Sequence, residues 1–205
     1  PAGRTAYTYN ALPEQHDGPD KTPRDEVMLG TLSRLDSVRA VNLAIDFLKV
    51  LLDRGLPVRL SVAGIGEESD NLKAQAERLG LADKVIFLGG VRDLSAYFRE
   101  VDILLNTPVL IGDHGAGVGN NILEAGLYET PVVTYDVAGV SEMVIDGQTG
   151  YCVPFEDKER FADAVTDLVR NPGLRRQMGK ALHDHVTALC SDDEIYRATM
   201  AAYEM

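Results

Sequence analysis

The sequence predicts an α/β fold: an open, doubly wound parallel sheet with helices on both faces. Three observations predict it. Short apolar runs of strand length alternate with stretches whose apolar residues recur at helical spacing. Strands separated by helices of this length imply parallel pairing through right-handed crossovers. Glycines punctuate the element ends, as at Gly55, Gly64, Gly66 and Gly80.

Residues 1–26 are polar and turn-rich, with Pro13, Gly18, Pro19 and Pro23, and read as a linker. Residues 27–33 (VMLGTLS) suit a buried strand, with Arg34 at its carboxyl end. Val41, Ala44, Ile45, Leu48, Leu51 and Leu52 then repeat as one helical face until Gly55. Residues 58–63 form the next strand. A helix over 69–79 presents Leu72, Ala76 and Leu79 on one side, with Gly80 as its stop signal. Residues 84–88 are strand, 94–99 a short helix, and 101–105 a fourth strand. Its end runs into a loop over 106–117, long enough to suggest function. A helix from Asn120, a strand over 131–135, a short helix over 140–145 and a short last strand over 151–153 follow. The remainder is helical, over 157–169, 172–188 and 192–205, and Pro172 sits where a first-turn proline loses nothing. The domain is thereby placed at 27–190, with a helical tail at 191–205.

The composition narrows the function classes. The 205 residues, 45% of them hydrophobic, are enough for one large domain with a full core. With 20 Lys and Arg against 32 Asp and Glu, the net charge of −12 repels nucleic acid and anionic lipid over most of the surface. No apolar run reaches the length of a membrane span, and no signal peptide is visible. Cys152 and Cys190 show no metal-site spacing and read as reduced thiols in a cytoplasmic protein. The start at Pro1 suggests a piece of something longer.

The stretch 114–154 carries the chemistry. Gly115, Gly117 and Gly119 lead into the helix that starts at Asn120, and the open amides of such a helix start suit an anion. Asn120 and Glu124 share one face near that end, where a carboxylate offers paired acceptors to a diol such as a ribose. A tight loop followed by a solvated Glu is the alternative. Ligands of doubly wound sheets bind outside the carboxyl ends of the strands, which gathers Arg34, residues 64–66, 106–119 and 137–139 on one edge.

The series SRLDSVRA, VAGIGEE, VIFLGGV and GNNILEAGLYETPVVTYDVAGVSEMVIDGQTGYCVP resembles the C-terminal domain of retaining glycosyltransferases of family 4, over nearly the whole chain. The resemblance implies a Rossmann-like domain, one half of a GT-B fold, that binds a UDP- or GDP-linked sugar without cofactor or metal. It places the crossing from an acceptor-binding N-terminal domain near Asn10, and leaves room for peripheral membrane contact of the full-length protein. Arg34 and Arg39 would supply positive charge to the leaving diphosphate, with donors from Gly119, Asn120 and Asn121. Glu124 matches the second Glu of the family's Glu-x7-Glu motif and would accept from the ribose. Gly66 would line the donor site, Gly90 and Val91 would lie in the backbone of 89–92 that faces the base, and Gly139 and Glu142 match a Gly-Gly-x-x-Glu element.

The first Glu of the Glu-x7-Glu motif falls on Ala116. Asp113 is the candidate to replace it in space, against the reading of Asp113 and His114 as loop polars. Arg39 stands where the family has Lys; it keeps the charge with a different geometry. His183 and His185 are expected at the surface. Three functions stay open: a retaining transferase acting with its N-terminal domain, a non-catalytic nucleotide-sugar binder, and a sugar-nucleotide epimerase.

Overall fold

The computed structural model describes residues 21–111, 114–115, 119–137 and 139–203. A six-stranded, all-parallel sheet is built from β1 (Val27–Leu32), β2 (Val58–Ala63), β3 (Val85–Gly89), β4 (Ile103–Asn106), β7 (Val132–Tyr135) and β8 (Gly150–Val153). Its order is β3-β2-β1-β4-β7-β8. The chain winds outward from β1 through β2 to β3, then returns to β4 and winds the other way. The reversal leaves a crevice between β1 and β4 at their carboxyl ends, the place where such sheets bind ligands.

Helices cover both faces. On one, α1 (Val41–Asp53), α2 (Ser69–Arg78) and α5 (Lys158–Arg170) bury Leu29, Ile45, Leu48, Leu60 and Phe161. Phe47 and Phe161 stack there at 4.3 Å between ring centroids. On the other, α3 (Leu94–Glu100), α4 (Asn120–Leu127) and α6 (Pro172–Leu189) bury Met28, Phe98, Leu104, Ile122 and Leu182. Leu29 and Met28 serve opposite faces because successive strand residues alternate. The last helix, α7 (Asp192–Tyr203), packs on α6.

The ends of the elements differ from the sequence expectation where side chains intervene. The fourth strand begins at Ile103, because Val101 ends α3 and the Asp102 carboxylate accepts from Met28 N at 2.9 Å. The segment expected as an open loop contains a small antiparallel hairpin, β5 (Leu110–Ile111) against β6 (His114–Gly115). The short helix expected over 140–145 is a single 3₁₀ turn, Val140–Glu142.

Two features hold the binding edge in shape. Backbone pairing continues past the strands, from Ser33 N to Ala63 O, Leu35 N to Ile65 O and Gly64 N to Gly89 O. Gly64 has φ +147, and a side chain there would overlap the Ser33 carbonyl, so only glycine lets the first two strand ends close together. Further on, Thr107 Oγ1 donates to Ala40 O at 3.1 Å and Val109 N to Val38 O at 2.9 Å. These bonds tie the chain leaving β4 to the loop that carries Arg39.

On the opposite edge, Lys21 Nζ donates to Phe98 O, Val101 O and Thr130 Oγ1 at 2.7–2.9 Å. Arg24 pairs with Glu100 at 3.1 Å. The segment before β1 is thus tied to the end of α3.

Candidate functional site

A cavity of about 490 Å³ opens at the carboxyl ends of β1, β2 and β3 and reaches the start of α4. Each wall comes from a different element. Ser33 and Arg34 follow β1, Gly64 and Ile65 follow β2, and Gly90 and Val91 follow β3; Gly119, Asn120, Asn121 and Glu124 open α4. Arg39 enters from the loop before α1.

The sequence-predicted residues divide into four groups. Arg34, Arg39, Gly90, Val91, Gly119, Asn120, Asn121 and Glu124 come together on this one cavity. Gly66 lies in an adjoining cavity of about 230 Å³ with Ser69, Lys73 and Phe87. A side chain on Gly66 would overlap the Leu35 carbonyl, so its glycine serves backbone packing. Gly139 and Glu142 are not among the described residues that line either cavity; Gly139, at φ +81, starts the 3₁₀ turn. Asp113 and Ala116 lie outside the described residues, as does Ala138.

The two arginines differ in their freedom. Arg34 is 80% exposed in its side chain and pairs with Asp36 at 3.0 Å. That partner draws charge from the cavity. Arg39 is half-buried and forms no ion pair among the described residues. Its backbone N–H donates to Asp36 Oδ1 at 2.9 Å, which pins the loop, and its Nη1 lies beside Gly119 at the start of α4. Gly119, the N-cap residue of α4, brings no side chain to cap that helix start. A guanidinium and a helix N-terminus therefore face the same volume, and both favour an anion.

Glu124 sits one turn further along α4 and is half-buried. Loss of solvation raises its carboxyl pKa above the ordinary glutamate value. A half-buried carboxylate is suited to accept from neutral hydroxyls. Across the cavity, Ile65 is 69% exposed and gives the far wall an apolar surface.

Behind the α4 start runs a buried polar chain that the sequence reading does not contain. Asn106 Nδ2 donates to Thr134 Oγ1 at 3.0 Å, and Asn121 Nδ2 donates to Asn106 Oδ1 at 3.1 Å. The signal was present as Asn and Thr at the ends of the apolar strands ILLN and VVTY, where a core residue is expected. His183 and His185 stand near the surface of α6, and each has a backbone partner. Both are half-buried, donating to Gly126 O at 3.2 Å and Glu142 O at 2.9 Å, so α6 holds α4 and the 3₁₀ turn.

Among the described residues, no group of three His, Cys, Asp or Glu side chains is placed to hold a metal ion. No helix among them is long and apolar enough to cross a membrane.

Comparison with known proteins gives a consistent result. The family model described as glycosyl transferases group 1 matches residues 14–185. A D-inositol 3-phosphate glycosyltransferase of Kribbella flavida is 32% identical over 190 residues, 87% of this chain and 43% of that protein. The capsular polysaccharide biosynthesis glycosyltransferase CapM of Staphylococcus aureus is 26% identical over 172 residues, 83% of this chain and 43% of its own. The chain thus spans less than half the length of these relatives. Among solved structures, a mutant of S. aureus TarM in complex with Fondaparinux, alpha-GlcNAc-glycerol and UDP aligns with TM-score 0.84 at 20% identity, over 95% of this chain and 38% of that one. Anabaena Alr3699/HepE in complex with UDP and glucose aligns with TM-score 0.76 at 20% identity, over 88% and 49%. At such identity these two structures share the fold.

Proposed function

The chain belongs to the group 1 glycosyl transferases, and on that premise we propose that it is the donor-binding half of a retaining glycosyltransferase that moves a sugar from a nucleotide diphosphate to a hydroxyl acceptor. The observation that carries the reading is the meeting of Arg39, the open start of α4 and Glu124 on one cavity. Two solved structures of like fold are complexes with UDP, which supports a uridine or similar nucleotide here.

In this reading the diphosphate lies between Arg39 and the amides at Gly119 and Asn120. Arg34 adds charge at the mouth. Glu124 accepts from the ribose hydroxyls, and the base lies toward Gly90, Val91 and the exposed Ile65. The bond from the sugar C1 to the phosphate oxygen breaks with its electrons going to the diphosphate. The acceptor oxygen bonds C1 on the same face, and its proton passes to the departing phosphate. The positive charge at α4 counts most as that bond breaks, which is how it accelerates transfer. The reading needs no metal, since Arg39 and the helix start supply the charge. The acceptor is bound mainly by an N-terminal domain, without which transfer is not expected. Cys152 and Cys190 are both buried and free, in keeping with reaction in a reducing cytoplasm.

Ala116, at the place of the family's first motif Glu, favours a second reading as a nucleotide-sugar binder without transfer. Calorimetric titration with UDP, GDP and ADP, in chelator, tests the shared part. Binding of one nucleotide that is lost in Arg39→Ala and Glu124→Ala is the expected result, and no binding of any of the three overturns both readings. Transfer by the protein joined to its N-terminal domain separates them. An Asp113→Ala form with undiminished turnover would remove Asp113 from the catalytic set.

A further inference from the structure

The polar chain behind α4 has a direction, and the direction ends at the site. Thr134 has one hydroxyl hydrogen and donates it to Tyr135 O at 3.1 Å, so toward Asn106 it accepts. Asn106 must therefore turn its amide nitrogen to Thr134 and its oxygen to Asn121. That oxygen accepts from Asn121 Nδ2. Of the two polar side-chain atoms of Asn121, Oδ1 is the one without a hydrogen-bond partner among the described residues, an acceptor in a residue only 6% exposed.

The orphan lies by the Gly119 backbone, as does Arg39 Nη1. A methyl group placed on Gly119 would overlap Asn121 Oδ1 and lie 3.0 Å from Arg39 Nη1, so the two groups flank one small volume. A buried acceptor needs a donor. A phosphate oxygen offers none, whereas the guanidinium carries five N–H groups in a rigid fork.

We infer that Asn121 is a positioning residue for Arg39, with its carbonyl oxygen aimed by the buried Thr134–Asn106 relay so that the guanidinium is held across the start of α4 with its other edge open to a diphosphate. The inference rests on the donor-site reading above. It assigns a role in ligand affinity to Thr134, a residue buried in β7 that does not line the cavity.

The test measures binding of UDP, GDP and ADP, and of the matching nucleoside, to the wild type, Thr134→Val, Thr134→Ser, Arg39→Ala and the Arg39→Ala/Thr134→Val double variant. Val keeps the shape of Thr and removes the hydroxyl that sets the relay direction, so Asn121 is free to present its NH₂ to the guanidinium. The expected result is a loss of about tenfold or more in diphosphate affinity for Thr134→Val, as for one misdirected hydrogen bond to a charged group. Nucleoside affinity stays unchanged, Thr134→Ser binds like the wild type, and the Val substitution adds no loss when Arg39 is absent. Unchanged diphosphate binding in Thr134→Val, or a loss that persists without Arg39, overturns the inference while leaving the donor site intact. Failure of the wild type to bind any of the three nucleotides removes the donor reading and the inference with it. If Thr134→Val does not fold, Asn121→Ala takes its place under the same expectations.

Discussion

Replacing Gly119 with Ala separates the site from the fold more cleanly than removing a charge. Gly119 has φ −81 and ψ 143, a conformation open to any residue, so the change carries no backbone strain. The added methyl instead overlaps Asn121 Oδ1, comes to 3.3 Å of Asn121 Cγ, and reaches 3.0 Å from Arg39 Nη1. Asn121 Oδ1 must shift to relieve the overlap, straining its bond to Asn106, and Arg39 Nη1 is crowded away from the α4 start with it. A hydrogen bond to a charged group is worth about 1.5–3 kcal/mol, so losing one contact to phosphate costs about 10- to 150-fold in affinity. Overpacking costs about 1–3 kcal/mol of stability, which for a chain of this size lowers the melting temperature by about 2–12 °C. Calorimetry with UDP and uridine, alongside thermal melting, reads both effects. UDP binding weakens, uridine binding holds, and the protein stays folded. A folded Gly119→Ala protein that binds UDP within about threefold of the wild type, less than one charged hydrogen bond is worth, refutes the placement of the diphosphate at Arg39 and α4.

Three further outcomes are expected. Burial raises the Glu124 pKa, so the native protein binds more protons than the unfolded chain just above the ordinary carboxylate range, and stability is gained as pH falls through the raised value. Glu124→Gln therefore melts higher than the wild type at neutral pH, with the gap closing in acid, while UDP affinity drops by about tenfold or more through the lost ribose bonds. Gly126→Ala places a methyl 2.5 Å from Val186 Cγ2, where α4 meets α6. Overpacking of about 1–3 kcal/mol outweighs about 1 kcal/mol of helix propensity, so the melting temperature falls and is partly regained in the Gly126→Ala/Val186→Ala pair. Desolvation lowers the Lys21 pKa from 10.5 to about 8, so between those values the unfolded chain binds more protons and the Lys21 contribution to stability rises with pH. Denaturant unfolding of the wild type and Lys21→Met, at about pH 7 and about pH 9.5, should show the difference moving in favour of the wild type at the higher pH.

The α/β alternation was legible because each element carries its own period. The apolar run VRLSVA and the face of Val41, Ala44, Ile45, Leu48 and Leu51 are local patterns, and they place β2 and α1 within a residue or two. Boundaries slipped where a side chain acted from afar, as at Asp102, whose bond to Met28 makes residues 101–102 a link instead of a strand start. The β5 and β6 strands are two residues each, too short to show any period.

The site shows the same division. Arg39, Gly119 and Glu124 were legible because each lies in a short contiguous motif, SRLDSVRA or GNNILEA, and doubly wound sheets bind at one edge. Three things were decided by tertiary structure. Arg34 is half-spent on Asp36, Gly66 serves the Leu35 backbone, and His183 and His185 brace the site from α6.

By itself the sequence determined the fold class, the family, and the edge at which the cavity opens, because periodicity and short motifs are properties of neighbouring residues. The tertiary structure alone decided how the site is aimed. Thr134, Asn106 and Asn121 stand on three separate elements, and the direction of their hydrogen bonds follows from one hydroxyl hydrogen that no local pattern encodes. It is packing that brings the unpaired oxygen of Asn121 and the guanidinium of Arg39 to the same side of Gly119.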